Sequence, residues 1–154
     1  MLKLNRPAAR NALSIEMMGE MHALLLQVRG NKSVRAIVIS HDGPVFSSGH
    51  DLKEMKAASG DRGRYQAIFS LCSKLMTQIT EMPQAVITQV GGVATAAGCQ
   101  LVAASDVAIA SKNARFATPG VNIGLFCSTP SVPLVRSIGR KVWCSSGSHT
   151  LQAP

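Results

Sequence analysis

Two short segments of small residues, Ser47–Asp51 and Thr95–Gly98, are the parts of this 154-residue sequence best suited to chemistry. Small side chains let a main chain approach a ligand closely, and the first turn of a helix leaves N–H groups without an intrahelical acceptor. If the fold brings the segments together, the N–H groups of His50 and Ala97 can polarise one carbonyl oxygen. The alternative is structural: Gly and Ala there only allow a helix to pack closely against a sheet.

Other reactive side chains give weaker signals. The four cysteines are Cys72, Cys99, Cys127 and Cys144. They are far apart in the sequence and form no Cys-x-x-Cys pair, and no histidine lies at ligand spacing from them. We therefore expect buried free thiols and no metal site. Neither Cys99 nor Cys127 has an evident histidine partner, which disfavours a nucleophilic role. His50 is expected to contribute its main-chain N–H rather than its imidazole.

Charge and composition narrow the possible partners. Lys and Arg number 16 against 8 Asp and Glu, the formal charge is +8, and the last carboxylate of the sequence is Asp106. The basic residues form no run, and one Trp, one Tyr and four Phe provide no stacking platform among them, so we expect one small anionic ligand rather than a nucleic acid. No apolar run approaches the roughly 20 residues of a membrane span.

The hydrophobic pattern predicts an α/β fold with repeated βα units and a parallel sheet. Leu2 and Leu4 alternate like a strand. Helices are predicted over 14–28, with Ser14 as N-cap, and over 65–79, 94–104 and 132–138; strands are predicted over 36–40, 85–90 and 107–110. Residues 41–52 are too many and too Gly-rich for a simple connection, 116–133 are loop-rich, and the Ser/Gly-rich residues 143–154 are expected to be unstructured.

Four segments in register carry a resemblance to a known family: Leu4–Ser14, Val45–Leu52, Ala94–Leu101 and Phe116–Gly124. Over roughly residues 2 to 142 the sequence resembles the crotonase (enoyl-CoA hydratase/isomerase) family. The resemblance implies a crotonase-like (ClpP/crotonase) ββα spiral core that binds acyl-CoA, with the coenzyme A thioester as substrate or ligand and no other cofactor. It also implies mitochondrial location, a link to fatty-acid metabolism, and homotrimers for full-length members.

The resemblance assigns roles to the two segments and to two positions that differ from the family pattern. His50 and Ala97 would donate the oxyanion-hole N–H groups, in agreement with the argument from the turns. Gln100 and Gly120 stand where hydratases of the family carry glutamates; a Gln cannot accept a proton from water, and Gly has no side chain. Because each acid–base group contributes about 10²–10⁴-fold, we expect weak hydration or another reaction, such as isomerisation or thioester hydrolysis.

The same resemblance implies a path for the coenzyme A and pantetheine groups. It would run along Arg10, Ala12, Leu13, Ser48, Asp51 and Leu52, with Lys53 and Lys56 near phosphate. The alternative is that Asp51 only caps the helix it begins and that the two lysines are only solvated.

The length suggests a partial domain. Family members continue beyond residue 142 into helices that close the site, so residues 1–142 are interpreted as a partial acyl-CoA-binding core without the C-terminal helical region. Residues 143–154 are interpreted as a tail outside the family frame, as in a shortened or alternatively spliced product. A second hypothesis is therefore a non-catalytic interaction or regulatory fragment that associates with full-length family subunits.

Overall fold

The computed structural model describes residues 1–124, 126–142 and 151–152. The strands are β1 (Leu2–Leu4), β2 (Ala36–His41), β3 (Val45–Ser47), β4 (Ala85–Val90), β5 (Val93–Thr95), β6 (Val107–Ala110), β7 (Arg115–Ala117) and β8 (Leu151–Gln152). The helices are α1 (Ile15–Arg29), α2 (Leu52–Ala57), α3 (Arg62–Thr80), α4 (Ala97–Ala104) and α5 (Ser128–Ile138), with 3₁₀ turns at Pro7–Ala9 and Pro119–Ile123.

Two sheets share these strands, and the chain alternates between them. One sheet has the order β1-β2-β4-β6 and is parallel throughout, whereas the other has the order β3-β5-β7-β8. In the second sheet β3, β5 and β7 are parallel, and β8 is antiparallel to β7. The pairs β2–β3, β4–β5 and β6–β7 each cross from the first sheet to the second and are followed by helix, which confirms the ββα spiral.

The helices form where caps and apolar spacing predict them. The Ser14 side chain accepts a hydrogen bond from Met17 N at 3.2 Å and begins α1, and Asp61 caps α3 in the same way through Arg64 N. Apolar residues of α1 and α3 enter one core with β2, β4 and α4. Its largest fully buried side chains include Leu13, Met18, Leu25, Ile39, Phe46, Leu75, Ile79, Val86 and Leu101.

Two predictions about elements were wrong at the short strands. The predicted helix 94–104 begins only at Ala97, because Val93–Thr95 pairs with β3 and β7 as β5. The loop-rich stretch 116–133 contains most of β7 and the start of α5. The Gly-rich segment 41–52, expected to be more than a simple connection, contains β3. Strands of three residues are too short for a periodic signal, and they form because residues far away in the sequence pair with them.

The predicted unstructured tail lies largely outside the described residues, as does Cys144. At Leu151 and Gln152 the chain is a strand, since Leu151 pairs with Phe116 and Gln152 with Arg115.

Candidate functional site

The two segments of small residues lie in direct contact. A Cβ atom built on Gly49, whose φ is +89°, would lie 3.2 Å from Ala97 N and 3.0 Å from Ala96 Cβ. A Cβ atom on Gly98 would lie 2.5 Å from Ser47 O. Parallel pairing of β3 with β5 sets this proximity, because both segments follow the carboxyl ends of neighbouring strands. The spiral therefore brings together the two segments that the sequence singled out.

The direction of the His50 N–H follows from an isolated parallel bridge between Leu13 and His50. Leu13 donates to Gly49 O at 2.8 Å and accepts from Asp51 N at 3.4 Å. Because both bonds use the neighbours of His50, the N–H of His50 itself points away from Leu13. Among the described residues this N–H has no hydrogen-bond acceptor.

Ala97 provides the second N–H group because it is the first residue of α4. An N–H in the first helical turn has no intrahelical acceptor, and it lies at the positive end of the helix dipole. Ala96 sets its direction with φ +50° and ψ −119°, a conformation that favours glycine. The Ala96 N–H donates to Ala117 O at 2.9 Å and holds this strained turn against β7.

Arg6 and Asn11 position the first segment, and sequence reasoning missed both. The Arg6 guanidinium donates to Asp51 Oδ2 at 3.2 Å and to Ala12 O at 3.1 Å. Asn11 is fully buried at φ +49°; its side-chain amide donates to Val45 O at 2.7 Å and to Asp42 O at 2.8 Å, and its oxygen accepts from Arg6 N. A polar pair separated by 45 positions gives no local signal, although Asn is one of the few residues that tolerate positive φ.

Asp51 is the N-cap of α2, and its carboxylate is fully engaged. Its Oδ1 accepts from Lys53 N at 2.9 Å while its Oδ2 accepts from Arg6. Burial disfavours the ionised form, but the Lys53 and Glu54 N–H groups and the Arg6 guanidinium together hold the pKa of this carboxyl below its ordinary value. The cap interpretation of Asp51 thus accounts for its side chain, and its main-chain N–H and C=O also form hydrogen bonds, with Leu13 O and Met55 N.

The His50 imidazole packs edge-on against the Phe69 ring, with centroids 5.2 Å apart and planes at 82°. Neither ring nitrogen has a hydrogen-bond partner among the described residues, and burial lowers the pKa of this imidazole. The expectation that His50 contributes its main-chain N–H rather than its imidazole stays a prediction. Phe69 is a site residue that sequence reasoning missed, since one aromatic on α3 does not stand out from helical spacing.

Gln100 lies one turn after Ala97 on α4 and faces a cavity of about 310 Å³ between α3, α4 and α5. The residue is 6% exposed, and its Oε1 atom is buried without a hydrogen-bond partner among the described residues. Gly120 does not line this cavity; it lies in the 3₁₀ turn beyond β7. Thr118 is also buried, and its hydroxyl has no hydrogen-bond partner within the described part of the chain. It lies between that turn and Ala117, whose carbonyl accepts from Ala96 N.

The residues predicted along a coenzyme A path divide into two groups. Ala12 and Leu13 are buried, so their side chains belong to the core. The main-chain groups of both also form hydrogen bonds within the chain. Arg10, Leu52, Lys53 and Lys56 are exposed, and Ser48 is half-buried. Ser48 N donates to Arg10 O at 3.1 Å, which joins these two positions. Their contact with coenzyme A stays a prediction.

The thiols of the described residues agree with the structural interpretation in two of three cases. Cys99 donates to Ala94 O and Ala117 O, and burial raises its pKa to about 12. Burial raises the pKa of Cys72 to about 11, so both thiols stay protonated and weakly nucleophilic. Cys127 is free but only half-buried, so the expectation of burial is wrong for this residue.

Two further properties concern the described part of the chain. It contains no group of three or more His, Cys, Asp or Glu side chains arranged for a metal ion. None of its helices combines the length and apolarity needed to cross a bilayer.

A ββα spiral in which two neighbouring loop–helix turns lie in contact defines an α/β protein of the crotonase type. The chain belongs to the enoyl-CoA hydratase/isomerase family, whose model matches residues 1–143. It is 52% identical over 139 residues to the mitochondrial enoyl-CoA hydratase domain-containing protein 3 of Xenopus laevis, and 50% identical over 139 residues to that of Homo sapiens. These alignments cover 90% of this chain and 47% and 46% of the relatives.

Solved structures agree with the sequence comparison. An enoyl-CoA hydratase of Mycobacterium smegmatis superposes with a TM-score of 0.94 at 45% identity, covering 98% of this chain and 59% of that one. Human enoyl-CoA hydratase domain-containing protein 3 superposes with a TM-score of 0.93 at 46% identity, covering 98% and 60%. The chain spans about half the length of the curated relatives it matches.

Proposed function

We propose that this chain binds acyl-CoA thioesters and holds the thioester oxygen between the N–H groups of His50 and Ala97. The observation that supports this most directly is the contact between Gly49 and the first residues of α4, since His50 and Ala97 belong to the two turns that touch there. Such preorganised donors act on charge that develops on a carbonyl oxygen, and a single one is worth roughly 2.7–4 kcal/mol in a transition state.

We further propose weak hydratase activity or a different reaction on the same thioester, such as isomerisation or thioester hydrolysis. Gln100 can orient a water molecule through its amide but cannot accept its proton, and Gly120 offers no side chain. The absence of carboxylates at these positions affects proton transfer and leaves the carbonyl-binding groups intact. By relation to the mitochondrial relatives, we place the protein in mitochondria and in fatty-acid metabolism.

The donors can be tested with two substitutions at one position. His50→Ala keeps the N–H and removes the imidazole, whereas His50→Pro removes the N–H. Isothermal titration with butyryl-CoA should give near wild-type affinity for His50→Ala and about three- to tenfold weaker affinity for His50→Pro, since one hydrogen bond contributes about 0.5–1.5 kcal/mol. Circular dichroism melts establish that each variant is folded.

A second measurement does not depend on the folding of the proline variant. In ¹⁵N-resolved spectra of the wild-type chain, the amide resonances of His50 and Ala97 should move on addition of butyryl-CoA. Binding that leaves both amides unmoved, or equal affinity of the folded His50→Pro variant, contradicts the assignment. If the folded chain does not bind any acyl-CoA, the whole proposal fails.

An exposed edge strand favours one second candidate, association with full-length family subunits. β6 ends the first sheet, and its Val107 and Ile109 side chains are 48% and 60% exposed. Apolar side chains on an unpaired edge favour pairing with another chain. Co-purification of the tagged chain with a full-length family subunit tests this role, and a strictly monomeric acyl-CoA binder would reject it.

A further inference from the structure

The start of α4 is held differently from the starts of α1, α2 and α3. Those helices begin with capping side chains, whereas α4 begins after Ala96, which has no side-chain oxygen to accept from the first turn. Ala96 also adopts φ +50° and ψ −119°, a conformation that residues other than glycine rarely adopt. A strained residue persists only where surrounding contacts fix it, so the turn before Ala97 depends on groups outside it.

The Ala117 carbonyl at the end of β7 supplies the first of these contacts. It accepts from Ala96 N at 2.9 Å and from Cys99 Sγ at 3.3 Å. A carbonyl oxygen has two lone pairs, so one oxygen can accept from both donors. Ala97 lies between these donors in the sequence, and the chain on both sides of it is therefore tied to the same oxygen.

The Cys99 thiol also contacts a second carbonyl. Its Sγ donates to Ala94 O at 2.9 Å, and because a thiol has one proton, the two oxygens share it in a three-centre hydrogen bond. Ala94 belongs to β5 and Ala117 to β7, and these strands are neighbours in the second sheet, where Thr95 pairs with Ala117. The thiol thus joins the first turn of α4 to the carboxyl ends of both strands.

Burial isolates these contacts from water. Cys99, Ala94 and Ala117 are 2%, 0% and 8% exposed, so the surrounding core leaves little room for a water molecule to replace the thiol. Burial also raises the pKa of Cys99 to about 12, and the group keeps the proton that it donates. Among residues 96–99 only Cys99 has a polar side-chain hydrogen. No other side chain of this stretch can take its place.

We propose that Cys99 is a positioning residue of the carbonyl-binding site: its thiol fixes the Ala96 turn and thereby the direction of the Ala97 N–H. This inference rests on the proposed function, because it assigns a support to one of the two proposed donors. Cys99 contacts no ligand itself and acts through the main chain of the turn. Loss of its thiol should affect Ala97 and spare His50, which is held by a separate bridge to Leu13.

A matched pair of substitutions isolates the thiol donor. Cys99→Ser keeps a donor and Cys99→Ala removes it, while both lose the volume of the sulfur. In isothermal titration with butyryl-CoA, Cys99→Ala should bind about three- to tenfold more weakly than wild type, the effect of one lost hydrogen bond. Cys99→Ser should bind within about twofold of wild type, because its hydroxyl donates to the same carbonyls.

The control for general damage to the core is Val86→Ala. Val86 is fully buried in β4, in the first sheet and outside both turns. This variant should lower the free energy of unfolding in urea denaturation and leave the affinity for butyryl-CoA unchanged.

Spectroscopy separates positioning from destabilisation. In ¹⁵N-resolved spectra of folded Cys99→Ala, butyryl-CoA should move the His50 amide as in wild type and move the Ala97 amide less. Ala96→Gly combined with Cys99→Ala should restore both the affinity and the Ala97 response, because glycine adopts the positive φ of this turn without strain. This double variant also decides the case in which Cys99→Ala alone does not fold.

Four results would overturn the inference. They are wild-type affinity of Cys99→Ala, equal weakening by Cys99→Ser and Cys99→Ala, equal weakening by Val86→Ala, and a double variant that regains neither fold nor affinity. Each shows that the thiol acts only as part of the core. If the folded wild-type chain does not bind any acyl-CoA, or binds it with both amides unmoved, the proposed function itself fails. The two proposals therefore fail distinguishably.

Discussion

Gly98→Ala tests whether the close packing of α4 on β3 holds the candidate site together. The added methyl would lie 2.5 Å from Ser47 O and 2.9 Å from Ser47 Cβ, whereas ordinary contact begins at 3.4 Å. The strand and the helix must therefore separate by roughly 0.9 Å, and overpacking of this kind costs about 1–3 kcal/mol. Since alanine gains about 1 kcal/mol over glycine in a helix interior, the free energy of unfolding should still fall by up to about 2 kcal/mol.

Gly19→Ala is the matched control because Gly19 is also helical and a Cβ there meets nothing within 4 Å. It should raise the free energy of unfolding by about 1 kcal/mol. Urea denaturation followed by circular dichroism should separate the variants by roughly 1–3 kcal/mol, and acyl-CoA affinity should fall only in Gly98→Ala. A Gly98→Ala variant as stable as Gly19→Ala would refute the close-approach argument.

Three further predictions concern individual side chains. Because burial keeps the pKa of folded His50 below 6.5, the unfolded chain takes up a proton first, and the free energy of unfolding should fall as pH drops below 6.5. His50→Gln should weaken this pH dependence in urea titrations at pH 7, 6 and 5. A pH profile that His50→Gln leaves unchanged contradicts this prediction. The lowered pKa of Asp51 adds stability above pH 3.8 that is lost as pH falls through the folded pKa. Arg6→Met should raise that pKa in a ¹³C carboxyl titration and destabilise the fold by about 1–3 kcal/mol, whereas an unmoved carboxyl titration means that Arg6 does not support Asp51. Gln100→Glu combined with Gly120→Glu in a full-length context should increase crotonyl-CoA hydration by about 10²-fold or more in an absorbance assay, and no gain means that the site differs from a hydratase in more than these two positions.

Local sequence signals predicted the long elements well because those elements carry their own information. α1 was predicted from Ser14 and its apolar spacing, and β4 from a β-branched run, and both agree with the structure to within about a residue. β3, β5 and β7 have three residues each and depend on ladders between segments some 20 to 50 positions apart. No local pattern encodes such a ladder. The periodicity of the sequence therefore predicted one parallel sheet, and the spiral was predicted only from the family resemblance.

The candidate site divides in the same way. Gly49 and Gly98 could be identified from composition, because close approach requires small residues and those residues are visible in the sequence. The Arg6–Asp51 pair and the Asn11 amide could not, since their partners are set by the path of the chain between them. The cavity beside Gln100 depends on where α5 packs, and the two prolines in that helix, Pro130 and Pro133, obscured its beginning at Ser128.

The groups proposed to bind the thioester oxygen belong to the main chain at His50 and Ala97, and this has an evolutionary consequence. Apart from proline, every amino acid carries the same N–H, so ordinary mutation at these positions changes the surroundings of the donors and not the donors themselves. Proton-handling side chains, such as the glutamates that the family resemblance implies at the positions of Gln100 and Gly120, can each be lost or gained in a single codon change. In a lineage built on this spiral, the proposed ability to polarise a carbonyl would be inherited with the fold, whereas the reaction could change from one descendant to the next.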